Sequence, residues 1–317
     1  MSGETASDVE TAVDVETATE SRSFVDRLRS SPFLSDLFSN RLALFGIAII
    51  VVMLAIALYS RLFMSEAALT SAKLSSRPAK RFLSPRLAFP FGTDLLARDI
   101  FKRVLYGAWY AIKFGTITVG FSTFLGVSLG TLAAYYSDLV DNVIMRTMDV
   151  LLSFPSLLLA LALVAVLPED WGLWRATLAL ILVYTPRFAR VVRGAALKVL
   201  EDEYIEATIA IGAKDPRVLI RHITPNTLAP ITVQSTLNFG LAIIDLAALS
   251  FLGFGAEPGT PTWGMMLSQG VEKGLLSGYW WWSFFPGLFL ALTVLGFNLL
   301  GDGMRDALDP RMREAVD

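Results

Sequence analysis

Two places in this chain put charge where chemistry could use it. The first is EYIEATIAIGAKDPRVLIRHITPN, Glu203 to Asn226, which sets Glu203, Glu206, Lys214, Asp215, Arg217, Arg221 and His222 between two apolar stretches. The second is Asp245, a lone acid in the uncharged surroundings of Leu228 to Phe254. Neither place holds carboxylates paired for general acid–base work. The absence of cysteine excludes thiol catalysis, disulfide frameworks and Cys-ligated metals. His222, the single histidine, stands beside Arg221 in a polar turn, which suits a surface role better than a base or ligand. No G-x-x-x-x-G-K-[ST] occurs, so no P-loop for ATP phosphates is formed. Catalytic residues and metal ligands are therefore not expected, and the chain does not read as an enzyme. What remains is recognition. Glu206 offers a carboxylate to a basic partner group, and Asp245 needs a hydrogen-bonding partner or water if it is held in lipid.

The charged segment has its own local grammar. Ile205 and Ile209 are spaced i, i+4 on a first short helix, and Gly212 is a natural stop. Asp215 can cap a second helix, Pro216 suits its first turn, and Pro225-Asn226 ends it. Two short helices around a tight bend would present Ile and Val ringed by charge. Such a surface expects a partner.

The elements that position these residues are membrane spans. Hydrophobic residues make up 54% of the 317, charged ones only 18%, and the mean hydropathy is +0.55. Charge-free runs are long enough to cross a bilayer core of roughly 30 Å. Residues 1–40 form an acidic, Thr-rich tail, expected to be disordered over 1–21, and an amphipathic lead-in without the basic start and apolar centre of a leader. A first span covers 41–61, bracketed by Arg41 and Arg61. Residues 62–111 form an extracytoplasmic loop. In it Thr93 would cap an interfacial helix, with Ala97, Ile100, Phe101, Val104, Leu105, Ala108 and Trp109 on one side and Arg98, Asp99, Lys102 and Arg103 on the other.

A main domain over 112–303 then holds spans at about 114–136, 146–167, 174–193, 228–254 and 279–300, with the charged loop at 203–226 and a cytoplasmic end at 304–317. Gly126 and Gly130 in the second span give a GxxxG spacing for close helix approach. Asp138 and Asp141 mark a short turn, Pro155 stands near the start of the third span, and YWWW suits a headgroup boundary. Arg187, Arg190 and Arg193 lie along one side of the fourth helix, where they can snorkel or line an aqueous face. Their position between spans argues against a nucleic-acid surface. Asp245, Asn238 and Asn298 are candidates for lining a polar path, and structural contacts between helices account for them equally well.

The fold class is therefore all-α, a polytopic protein of six transmembrane helices with both termini on one side. Lys and Arg crowd the side of the termini, with only Arg175 and Lys273 in the two short opposite loops, which places the termini in the cytoplasm. Ten Lys or Arg between residues 61 and 113 pull the other way. An ion-coupled secondary carrier or channel would share six spans and an intramembrane acid.

Glu206-Ala207-Thr208, then Gly212, then Thr224-Pro225, resembles the EAA loop of ABC-transporter permease subunits, with Thr208 in place of Ala and Thr224 in place of Leu. RHITPN, FGTDLLARDIFKRVLYGAW, MDVLLSFPSLLLAL, ALSFLGFG, PTWGMML and FNLLGDGMRDALDP resemble segments of the oligopeptide, dipeptide and nickel branch. NRLALFGIAII resembles the extra N-terminal helix of that branch's C-type subunit. The resemblance covers roughly residues 33–312 and implies a type I ABC importer permease fold in the cell (inner) membrane. It implies a coupling role for Glu206, Ala207, Gly212, Ala213, Asp215, Pro225 and Asn226, docked in a cleft on an ATPase. It also implies, as partners besides the lipid bilayer, a second homologous permease, two ABC ATPases that hydrolyse the ATP and an extracytoplasmic solute-binding protein. No cofactor bound by this chain and no nucleic acid is expected. The cargo implied is peptides or a related small solute.

Overall fold

The computed structural model describes residues 32–71, 80–274 and 277–308. The acidic tail over 1–31 and the end of the chain from 309 lie outside the described residues. Thirteen α-helices carry the description here: α1 Pro32–Ser39, α2 Arg41–Phe63, α3 Glu66–Thr70, α4 Ile100–Tyr136, α5 Asp138–Leu152, α6 Ser156–Val166, α7 Leu173–Leu200, α8 Glu203–Ala210, α9 Asp215–Val218, α10 Thr224–Asn226, α11 Leu228–Phe251, α12 Trp263–Gln269 and α13 Trp281–Leu308. A π-helical turn, Leu219–Ile223, joins α9 to α10. Among the described residues the β-type pairing is confined to isolated bridges, Arg86 with Phe89 and Thr93 with Asp99.

Among the described residues four helices, α2, α4, α11 and α13, are long and apolar enough to cross a membrane, and a fifth span results if α5 and α6 are counted as one. That pair is bent by 95°, so the continuous span expected over 146–167 is broken. Ser153-Phe154-Pro155 makes the break, because proline has no N–H to continue the ladder and Pro155 instead starts α6. Asp138 and Asp141 belong to the first turn of α5 rather than to a loop, the turn itself falling at Ser137. Helix α7 is long enough, at 28 residues, but Arg175, Arg187, Arg190 and Arg193 keep it out of the apolar set.

The expected interfacial helix is not formed. Thr93 does not cap: its hydroxyl donates to the Lys80 carbonyl at 2.6 Å and accepts from Leu83 N–H at 2.9 Å. Ala97 has φ of 57°, which no right-handed helix accommodates. The helix starts instead at Ile100, where Asp99 is the cap, and runs without a break through the expected second span to Tyr136. At 1.5 Å per residue its 37 residues make a rod of about 55 Å. Arg98 and Arg103, expected on a solvated face, are 3% and 1% exposed. Arg98 pairs with Asp94 at 2.6 Å. Arg103 donates to the carbonyls of Leu69 (2.7 Å) and Gly259 (3.0 Å), tying α3 and the loop at Gly259 to the start of α4. Arg103→Met should leave both carbonyls unpaired and cost about 1–3 kcal/mol. The check is the thermal midpoint of the solubilised chain, together with protease sensitivity around α3; unchanged values would show that the tie is idle.

The tryptophans of YWWW divide. Trp280 stays outward, whereas Trp281 and Trp282 are buried and Trp282 Nε1 donates to the Thr93 carbonyl at 2.8 Å. The helical core is centred on α4, α7 and α11, where Phe114, Leu180, Tyr184, Phe188 and Leu249 close over one another. Helix α2, capped by Asn40, packs on α13 at Gly46 and Gly296.

Candidate functional site

The charged loop is built as a bent pair of short helices. Helix α8 ends in a Schellman turn: Gly212 N–H donates to Ile209 O at 2.9 Å and Ala213 N–H to Thr208 O at 3.2 Å. Gly212 itself has φ of +87°, the left-handed backbone that glycine adopts without strain. Lys214, not Asp215, occupies the cap position of α9, and Pro216 sits in its first turn. Asp215 is freed from capping because its two carboxylate oxygens accept from Tyr135 (2.9 Å) and Tyr136 (3.1 Å), the last residues of α4.

Pro225-Asn226 does not end the helical path. These residues lie in α10 and lead into α11, while Asn226 Nδ2 donates to Tyr204 Oη (2.9 Å) and to the His222 carbonyl (2.6 Å). His222 lies against Tyr204, with ring centroids 6.2 Å apart, and is part of the loop's scaffold. The Thr208 hydroxyl is satisfied by the Tyr204 carbonyl at 2.7 Å.

Beneath the loop, Ile205, Val218 and Ile223 are fully buried against Ala134, Ala196 and Val199, with Ala213 packed at the edge. On its outer side Glu206, Ala207 and Pro225 are exposed. So are Ile209, Ile211 and Ile220, at 45%, 86% and 70%. The i, i+4 pair thus divides: Ile205 anchors the loop and Ile209 faces out. The element is thus anchored on its underside and carries both apolar and charged side chains exposed on its outer side.

The other expected site residues lie apart. Asp245, half-buried on α11, accepts from Tyr184 Oη on α7 at 2.7 Å, and the Arg187 guanidinium stands 5.1 Å from the Tyr184 ring centre. Asn238, two turns away on α11, is 1% exposed and takes the Gln234 amide at 3.1 Å. Asn298 is on α13, beside Gly240. A small, partly open apolar cavity between α4, α11 and α12 is lined by Tyr110, Phe114, Leu246 and Trp263, without Asp245. Of the arginine row, Arg190 is exposed and Arg193 partly so, and both are engaged by acids. They pair with Asp149 (2.6 Å) and Asp141 (2.5 Å), binding α5 to α7. Tyr135, Tyr136 and Tyr184 were not singled out by sequence. The only signal was that two adjacent tyrosines close an uncharged run.

The profile described as "Binding-protein-dependent transport system inner membrane component" matches residues 126–314, more than half of the chain, and takes in the whole charged loop. The chain belongs to this family. Among relatives of the permease, the dipeptide transport system permease protein of Alkalihalophilus pseudofirmus is 42% identical over 274 residues, 86% of this chain and 87% of that one. A putative peptide transport system permease protein of Brucella suis is 42% identical over 74% of this chain and 77% of its own. The glutathione transport system permease protein of Escherichia coli is 44% identical over 72% and 74%. The permease is thus a multi-pass membrane subunit of an ABC importer and not an enzyme, and it works with ATPase and binding-protein partners. Family membership sets the secondary-carrier alternative aside.

Proposed function

We propose that this permease forms half of the translocation path of a peptide importer, and that the loop over 203–226 docks on a cytoplasmic ATPase. The observation that carries the docking is the exposed apolar set Ile209, Ile211 and Ile220, held on an element whose underside is fully buried. Glu206, Lys214, Arg217 and Arg221 are exposed on the same loop. Isolated exposed apolar residues are ordinary on protein surfaces, but a cluster rimmed by charge marks an interaction site. Glu206, Ala207, Gly212, Ala213, Pro225 and Asn226 shape or present this surface.

The path is completed by a second, homologous permease, with two ATPases hydrolysing the ATP and an extracytoplasmic binding protein delivering the solute. This chain contributes no bound cofactor of its own. Six spans follow if α5 with α6 makes one and α7 another, with α2, α4, α11 and α13 as the rest. Both termini are then cytoplasmic, which agrees with the Lys and Arg of 187–221 on the loop side. The cargo is a short peptide or related small solute, because dipeptide, peptide and glutathione permeases are the relatives. Asp245 and Asn298 serve the polar part of the path when the second permease is in place, whereas Asn238, 1% exposed, is packed inside this chain.

The absence of cysteine makes the test direct. A Lys214→Cys chain should react with an impermeant maleimide only from the cytoplasmic side, and reaction from outside would reverse the topology. Ile211→Glu, which places a charge on a side chain 86% exposed, should leave the chain folded and reduce ATPase co-purification at least about tenfold, the loss of roughly 1.4 kcal/mol. Full recovery of ATPase with that variant would remove the docking surface.

A further inference from the structure

We infer that Asp215 is a positioning residue that locks the docking loop to α4 through the paired hydroxyls of Tyr135 and Tyr136, so that movement of the loop is passed to the whole rod. The inference rests on the docking role of the loop, and goes beyond it by naming the joint through which docking becomes helix motion.

Two kinds of contact join the loop to the helices. The first is the apolar cluster of Ile205, Val218 and Ile223 on Ala134, Ala196 and Val199. Apolar packing is non-directional, so it holds the loop down without fixing its angle. The second is the carboxylate fork. Residues adjacent in a helix diverge by about 100°, yet the hydroxyls of Tyr135 and Tyr136 meet on the two oxygens of one carboxylate, at 2.9 and 3.1 Å. Their rings sit edge to face, 5.1 Å apart and at 88°, which sets the two hydroxyls in a fixed relation. Hydrogen bonds to an ionised acceptor are stronger and more directional than neutral ones.

The placement gives the fork its consequence. Asp215 is at the first position of α9, just past the Gly212 bend, where an acid ordinarily bonds its own helix; here the cap position is left to Lys214, which makes no side-chain cap. Tyr135 and Tyr136 are the final residues of α4. From there α4 passes the α7 contact at Gly126 and Gly130 and reaches the Arg103 tie to α3 and the loop at Gly259 at its far end. A pull on the loop therefore acts on the tip of a rod whose other end holds α3 and the loop at Gly259.

The test uses the cysteine-free chain assembled with its partner subunits in vesicles, with Ala111→Cys as reporter in the apolar cavity at the opposite end of α4. The probe is a membrane-impermeant maleimide, with and without ATP and vanadate. In the parent, trapping should change the labelling rate by about fivefold or more, as expected of a coupling between distant sites. Tyr135→Phe with Tyr136→Phe keeps both rings and removes only the hydroxyls. It should retain ATPase co-purification and ATP hydrolysis while the trapping effect falls below about twofold. Asp215→Asn, which keeps one carbonyl acceptor, should fall between. A full trapping effect in the double phenylalanine chain overturns the inference and leaves docking intact. Hydrolysis and labelling falling in proportion also overturns it, since that is loss of structure rather than of transmission. A parent that recruits no ATPase, or shows no ATP-driven change, overturns the docking role and the joint together.

Discussion

Gly126→Leu is expected to keep the permease from accumulating as a folded membrane protein, whereas Gly120→Ala, six residues earlier in the same helix, is expected to change almost nothing. A Cβ at Gly126 would stand 2.2 Å from the Cβ of Phe188 and 3.0 Å from the backbone N of Ala189. One turn on, a Cβ at Gly130 would meet the Ala189 carbonyl at 2.6 Å. Backbone atoms cannot swing aside, so α4 and α7 would have to separate. Phe188 and Ala189 are fully buried, and Phe188 belongs to the central core, so separation opens the densest part of the molecule.

Within a bilayer, helices associate through close packing rather than through exclusion of water, which makes the small-residue contact the source of affinity itself. Overpacking of this kind costs about 1–3 kcal/mol for modest insertions, and leucine exceeds that range. Gly120 has no atom within 4 Å of where its Cβ would lie, so alanine there should stay within about 0.5 kcal/mol of the parent. The thermal aggregation midpoints of Gly120→Ala and Gly126→Ala in detergent decide the matter, with membrane yield read for the leucine variant. Equal midpoints would show that the two helices are not held as closely as this.

That contact was legible in sequence as spacing, since GxxxG needs only two glycines one turn apart in an apolar run. The stop at Gly212 was legible for a similar reason: a glycine follows the helical residues and a proline opens the next helix. Both are local signals. What sequence did not disclose is competition between local and distant partners. Asp215 has the position of a cap, but two tyrosines eighty and seventy-nine residues away take its oxygens. Thr93 likewise has the type and place of a cap, yet Lys80 and Leu83 occupy its hydroxyl. Arg98 and Arg103 carry the charge of a solvated face and are buried, because Asp94 and the carbonyls of Leu69 and Gly259 compensate them. The same holds for α5, whose acids find Arg190 and Arg193 and so keep an amphipathic helix folded back across the bend at Pro155. Periodicity identifies which elements exist, and long-range hydrogen bonds decide where they begin and what they face.

Gly212→Val is expected to lower ATP-driven uptake at least about tenfold, which is the effect of roughly 1.4 kcal/mol, while leaving the spans folded. The argument differs from that at Gly126, because a Cβ at Gly212 meets nothing within 4 Å. Crowding is absent, and the constraint is the backbone, at φ of +87°. Left-handed backbone costs an L-residue roughly 1–2 kcal/mol, and a β-branched side chain is worse placed there than others. The loop can relieve that strain by giving up the bonds from Gly212 N–H to Ile209 O and from Ala213 N–H to Thr208 O, which hold the turn. Helix α8 then changes its angle to α9, and Ile211 and Ile220 no longer present one surface to an ATPase. The change reaches α4 and α7 only at their loop ends, where Ile205 packs, and leaves the central core of α4, α7 and α11 intact, so yield and thermal midpoint should stay near the parent. Asparagine tolerates the left-handed region better than other non-glycine residues, so Gly212→Asn should recover most of the loss and Gly212→Ala should fall between. Uptake of a radiolabelled dipeptide into vesicles, read beside ATPase co-purification, orders the series. If asparagine is as damaging as valine, the surface at Gly212 needs the absence of a side chain, and the bend is not what the position provides.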